Sequence, residues 1–110
     1  MVDYSIFPLE EEIKDKLAKL EISYAFQPIF FPDGKEIYAY EALIRPKNIS
    51  VTNLIEEFRK KSDLHTLEVA TIFGAVQCYG RRGYNSYIAI NSFPAESFTA
   101  EEQAVFDEFY

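Results

Sequence analysis

The chain reads as an α/β fold, a small sheet with helices packed on one or both faces. Three observations predict it. Two β-rich runs, Ile22 to Phe31 and Lys35 to Arg45, flank an Asp33-Gly34 turn, a strong hairpin signal. Helical periodicity then fills the stretch from Thr52 to about Tyr79. A short third strand, Tyr87-Ile88-Ala89-Ile90-Asn91, follows it. A strand, a helical crossover and a further strand make a β-α-β unit, whose strands run parallel. The first strand, joined through a hairpin, runs antiparallel to the second.

Each element has its own local reasons. Pro8 opens a helical pattern in which Leu9, Ile13, Leu17 and Leu20 share one apolar face. Glu10, Glu11 and Glu12 precede Lys14, Lys16 and Lys19, an order that suits the helix dipole. Pro28 would break a central ladder, so the first strand is bent or near an edge there. Pro46 ends the second strand, and a polar loop through Asn48 and Ser50 follows. Thr52 is placed to cap a short helix holding Leu54, Ile55 and Phe58. Ser62 or Asp63 caps the next helix, which carries Leu64, Leu67, Thr71, Ala75 and Cys78 along one side. Ile72, Val76 and Tyr79 widen that face, and Gly80-Arg81-Arg82-Gly83 terminates it. Thr99-Ala100-Glu101-Glu102 has the form of a capping box, and Val105, Phe106 and Phe109 lie on the helix it starts.

Composition narrows the function classes. One hundred and ten residues allow one small domain or part of a larger one. A hydrophobic share of 48% supports a core and argues against disorder. The formal net charge of −7 argues against a nucleic-acid backbone as a general partner. An anionic ligand stays open if a metal or a local Arg supplies positive charge. The single cysteine, Cys78, permits no intramolecular disulfide and fits a reducing cytosol. No apolar run approaches a membrane span and no signal peptide follows Met1, so a soluble cytoplasmic protein is expected.

Side chains alternate along a strand, so Ala39, Glu41, Leu43 and Arg45 share one face. Tyr38, Tyr40, Ala42 and Ile44 share the other. In the first strand Ala25 and Gln27 fall together, and in the third Tyr87, Ala89 and Asn91 do. A small Ala thus stands two positions before Gln27, Glu41 or Asn91 in each strand. Three polar groups would converge on one side of the sheet with room beside them. Three unrelated half-exposed positions would give the same short pattern. Charges within apolar strands are costly and usually have partners or a task. A carboxylate and an amide oxygen are hard ligands that suit Mg²⁺, Mn²⁺ or Ca²⁺, although two ligands do not complete a site. His65 has no second His or Cys nearby and reads as a surface or capping residue. Cys78 reads as a buried thiol, and Ser92 and Ser97 have no base in a recognisable arrangement. The acids Glu101, Glu102, Asp107 and Glu108 read as a solvated face.

Three blocks carry a family resemblance. Gln27-Pro28-Ile29, Glu41-Ala42-Leu43-Ile44-Arg45 and Ile90-Asn91-Ser92-Phe93-Pro94 resemble, in order and spacing, blocks of the EAL domain, the bacterial phosphodiesterase module that opens cyclic di-GMP. The resemblance runs from about Tyr24 to the C-terminus. It implies the N-terminal part of a TIM-like (β/α)8 barrel whose first strand is antiparallel to the second. Residues 1–110 would form one partial domain, with a leading helix within 1–21 and the first part of the barrel in 22–110. It also implies roles. Glu41 and Asn91 would be metal ligands, Arg45 would hold a ligand phosphate, Gln27 would lie near the nucleobase, and Leu43 would pack beside the ligand. The cofactor would be Mg²⁺ or Mn²⁺, expected only in a complete site. Metal-assisted attack of water on a phosphodiester would be the chemistry of the whole domain. The family completes that site with acids and a Lys from later strands, which have no place here, so the segment alone is expected to be inactive. Leu67-Glu68 departs from a Leu-Asp common in the family, at a position read as structural.

Two other readings stand beside this one. The chain could be a non-catalytic module of the same fold that binds cyclic di-GMP or a protein partner. It could also be an unrelated small α+β domain with a chance motif. An incomplete barrel leaves strand edges open, so either a homodimer or a missing C-terminal half is expected.

Overall fold

The computed structural model describes residues 2–84, 86–90 and 99–109, with only the backbone at 109. Seven elements follow in chain order. They are α1 (Glu11–Lys19), β1 (Ser23–Phe30), β2 (Ile37–Arg45), α2 (Val51–Lys60), α3 (Leu64–Arg82), β3 (Tyr87–Ile90) and α4 (Ala100–Phe109). The sheet has the order β1-β2-β3, with β1 antiparallel and β3 parallel to the central β2. The mixed α/β class and the antiparallel first pair are therefore as expected. No helix among the described residues is long and apolar enough to cross a membrane.

The hairpin forms for the local reasons the sequence offers. The Asp33 carboxylate accepts from the backbone N–H of Lys35 at 2.9 Å, and Gly34 donates to the Phe31 carbonyl at 2.9 Å. Gly34 sits at φ +68°, a left-handed conformation that glycine adopts without strain. Pro28 lies on the edge strand, opposite Tyr40. Past it the register slips, because Phe30 pairs with Ile37 rather than with Tyr38. The Tyr38 ring contacts Phe31 and Tyr87 at 5.3 and 5.8 Å, instead of the rings beside Tyr40. A bulge re-aims side chains in this way.

Helix ends differ in detail from the expectation. α1 begins at Glu11, not beside Pro8. Ser50, not Thr52, caps α2, since its extended backbone lets its hydroxyl accept from the N–H of Asn53 at 3.1 Å. Thr52 already lies within the helix. Asp63 is the first flanking residue of α3 and accepts from the Thr66 hydroxyl rather than from a backbone amide. α3 runs through Gly80 and stops at Gly83, whose φ of +69° supplies the left-handed terminator. The capping box on α4 is present. Glu102 N–H donates to the Thr99 hydroxyl at 3.2 Å, and Thr99 N–H donates to the Glu102 carboxylate at 2.8 Å.

α3 organises the core. One side lies on the sheet, where the Tyr24 hydroxyl donates to the Thr71 carbonyl at 3.0 Å. The other side is also covered, so Val69, Ala70 and Phe73 are buried along with Leu67 and Ala75. Phe73 stands 5.3 Å from both Phe7 and Phe106, which brings the N-terminal segment and α4 onto this helix. The sequence pattern marks a single apolar side; a helix buried on two sides spreads its apolar residues around the axis. Leu17, Leu54 and Phe58 join the same core from α1 and α2. Full burial of each such side chain stabilises by roughly 1.5–3 kcal/mol before entropy is counted.

Candidate functional site

The central strand positions the candidate site. In an antiparallel pair, directly opposite residues share a face, and β1 places Gln27 opposite Glu41, Ala25 opposite Leu43 and Ser23 opposite Arg45. Opposite Cβ atoms in such pairs stand about 4.5–5.5 Å apart, so the Gln27 amide and the Glu41 carboxylate are neighbours. On the other flank Glu41 pairs with Ala89 and Ala39 with Tyr87. Gln27, Glu41 and Ala89 thus form one row across all three strands. The small Ala89 leaves space beside the Glu41 carboxylate on the β3 flank, and Ala25 stands one row further along, opposite Leu43.

This face is open. The helices cover the opposite face, that of Tyr24, Ala42 and Ile44. On the Glu41 face Ala25, Gln27 and Arg45 are exposed, and Tyr87 is 74% exposed. Ala39 is the exception at 2% exposure, a short side chain between Ile29 and Tyr87 on the flanking strands. Glu41 and Leu43 are half-buried. Among the described residues Glu41 makes no side-chain hydrogen bond and no ion pair. The Arg45 guanidinium donates to the Ile44 carbonyl at 3.0 Å and meets no carboxylate among the described residues. A carboxylate and a guanidinium, neither in an ion pair among the described residues, therefore stand four residues apart on one strand face, with an amide beside the carboxylate. Asn91 lies outside the described residues, as do Ser92 and Ser97.

The donor set on this face bears on a metal ion. Mg²⁺ and Mn²⁺ take about six oxygen ligands, with carboxylates dominant. Glu41 is one suitable donor and Gln27 offers an amide oxygen. Among the described residues no group of three or more His, Cys, Asp or Glu stands where it could share a metal ion. These residues do not by themselves make a cation site, and no hydrolytic step follows from them alone.

Two polar features elsewhere escape the sequence reading. His65 on α3 faces Glu102 on α4, with its Nε2 at 2.8 and 3.0 Å from the two carboxylate oxygens. Glu102 is therefore half-buried and paired, not part of a solvated face. Glu68 and Thr71, one turn apart on α3, are both buried, and Glu68 Oε2 and Thr71 Oγ1 have no hydrogen-bond partner among the described residues. Burial pushes the Glu68 carboxyl above its ordinary range, against a smaller opposing pull from His65. The available signal was a pair of polar residues inside an apolar helical stretch. Cys78 is half-buried, and its thiol is pushed up by desolvation.

No family model, curated protein or solved structure matches the chain.

Proposed function

We propose that the chain is part of a cyclic di-GMP phosphodiesterase domain of EAL type and supplies the first strands of its barrel. The observation that carries this reading is the row Gln27, Glu41 and Ala89, with Leu43 and Arg45 further along the same open face. That juxtaposition matches the roles implied by the three sequence blocks. In the proposed site Glu41 and Asn91 are metal ligands, Arg45 clamps a phosphate with its planar fork, Gln27 meets the nucleobase and Leu43 packs beside it. In α/β barrels ligands gather at the carboxyl ends of strands, the end of β2 where Leu43 and Arg45 lie. Mg²⁺ or Mn²⁺ would supply the Lewis acid and activate water in the complete domain. The remaining ligands would come from beyond the described residues or from another copy of the chain. The proposed setting is cytoplasmic, where Cys78 stays reduced.

A second reading keeps the ligand and drops the chemistry. It is favoured by Glu41 being the one carboxylate on the open face among the described strand residues. Calorimetry with cyclic di-GMP, with and without Mg²⁺, separates the two. Binding that needs Mg²⁺ and is lost in Glu41→Ala supports the phosphodiesterase site. Binding that ignores the metal and Glu41 but falls at least tenfold in Arg45→Ala supports a receptor. No binding under either condition defeats both. Turnover by this chain alone, abolished by Glu41→Ala, would overturn the expectation that its site is incomplete.

A further inference from the structure

Aromatic rings gather where the C-terminal end of α3 meets the sheet. Gly83 ends α3 in a left-handed turn, and the next residue, Tyr84, lies flat on Tyr40 of β2. The two ring centroids are 4.1 Å apart and the ring planes differ by 9°. Tyr79 of α3 and Phe26 of β1 flank the pair, 5.5 and 6.3 Å from Tyr84 and steeply tilted against it. Tyr40 and Tyr84 are half-buried, and neither hydroxyl has a hydrogen-bond partner among the described residues. Tyr79 differs, because its hydroxyl donates to the Ser86 carbonyl.

Parallel rings at this separation bring the carbons of the two phenols into van der Waals contact. Packing alone needs neither hydroxyl, since phenylalanine would fill the same space. Two touching phenols with unbonded hydroxyls are arranged for a reaction of their own. A phenol that loses one electron and its proton becomes a radical, and two such radicals join where their rings meet. Holding the rings in contact makes that step intramolecular, so it outruns coupling to a second chain.

We propose that Tyr40 and Tyr84 form an oxidative cross-linking site, at which a one-electron oxidant such as a peroxide-derived radical converts the pair to dityrosine. Two equivalents of oxidant each take one electron, and the two phenolic protons pass to water. A carbon–carbon bond forms between the ring carbons next to those that bear oxygen. The hydrogens on the bonded carbons move to the oxygens, which restores both phenols. The product is a monomer lighter by two hydrogens, with the end of α3 stapled to the central strand. The pair lies on the helix-covered face of the sheet, so it is independent of the proposed cyclic di-GMP site.

The test treats the dilute full chain with tris(bipyridine)ruthenium(III), a one-electron oxidant generated by light and persulfate. The main product should be a monomer lighter by two hydrogens, with the blue fluorescence of dityrosine and a peptide map that joins Tyr40 to Tyr84. Tyr84→Phe keeps the ring but gives no phenoxyl radical, so it should cut the yield about tenfold while circular dichroism stays unchanged. Unfolding in urea separates the rings and should also cut the yield about tenfold. Tyr87→Phe should leave the product as it was, although Tyr87 is 74% exposed and its ring is 5.8 Å from Tyr38 at 49°. A main product that joins any other pair, a covalent dimer in its place, a cross-link that survives Tyr84→Phe or urea, or no cross-link at all would each overturn the proposal.

Discussion

Replacing Gly74 by alanine tests how tightly α3 is seated on the sheet. A Cβ built at Gly74 would lie 2.8 Å from the Tyr24 hydroxyl and 3.1 and 3.3 Å from two of its ring carbons. Tyr24 is buried, and its hydroxyl is held by the Thr71 carbonyl, so moving the ring aside breaks that hydrogen bond. Overpacking of this kind costs about 1–3 kcal/mol, and loss of the Tyr24 hydrogen bond adds about 1 kcal/mol. The better helix propensity of alanine returns about 1 kcal/mol. The net expectation is a loss of about 1–3 kcal/mol. At about 4 °C per kcal/mol for a domain of this size, Tm falls by about 4–12 °C. Gly80→Ala is the control on the same helix, because a Cβ there meets nothing within 4 Å. It should raise Tm by up to about 4 °C through propensity alone. Tyr24→Phe removes the closest atom, so Gly74→Ala should cost about 1 kcal/mol less in that background. Urea titration and thermal melts of the four variants read these differences. Equal midpoints for Gly74→Ala and the unmodified chain would refute the close seating of α3 on Tyr24.

Three further outcomes are expected. Glu68 has its carboxyl pushed up in the folded chain, so the fold favours the protonated form. That stabilisation is fully present below the unfolded-chain value near 4.5 and is lost as pH rises through the higher folded value. Glu68→Gln should therefore gain more stability at pH 7.5 than at pH 5 in urea titrations, and an equal gain at both would contradict a buried carboxyl. Ser50→Ala should cost about 1 kcal/mol of stability and Thr52→Ala close to nothing, since only Ser50 holds a backbone amide at the start of α2. Glu41→Val should raise stability by about 0.5–1 kcal/mol, because a β-branched residue suits a central strand better than a half-buried, unpartnered carboxylate. A melt that shows Glu41→Val less stable than the unmodified chain would mean that Glu41 has a structural partner.

How much the sequence reveals follows the range of the interaction that decides each feature. The Asp33-Gly34 turn and the Thr99–Glu102 capping box close over a few residues, and both are legible. The pairing of Gln27 with Glu41 follows from a short turn and a period of two, so the shared face is legible as well. Ser50 and Thr52 carry similar hydroxyls, and which one caps depends on where the chain turns after Pro46. The two-sided burial of α3 depends on Phe7 and Phe106, which come from opposite ends of the chain. His65 and Glu102 lie 37 residues apart, so neither reveals the other in sequence. Which face of the sheet the helices cover is also a tertiary outcome, and it decides whether Glu41 looks into a core or into open space.

That outcome divides labour between the two faces of the sheet. The covered face carries Tyr24, Ala42 and Ile44 and is fixed by contact with α3. The open face can therefore hold groups that contribute nothing to packing. Glu41 is the best positioned of them, because β2 is held by ladders on both flanks and the carboxylate inherits that rigidity. Gln27 sits on an edge strand beside Pro28, where the ladder is weaker on its outer side and the side chain is correspondingly freer to follow a ligand. Stability alone would favour a valine, isoleucine or threonine at position 41. A carboxylate held rigidly at the centre of the sheet, with an amide on one flank, a small alanine on the other and no ion-pair partner among the described residues, is what the proposed ligand site requires and what packing would remove.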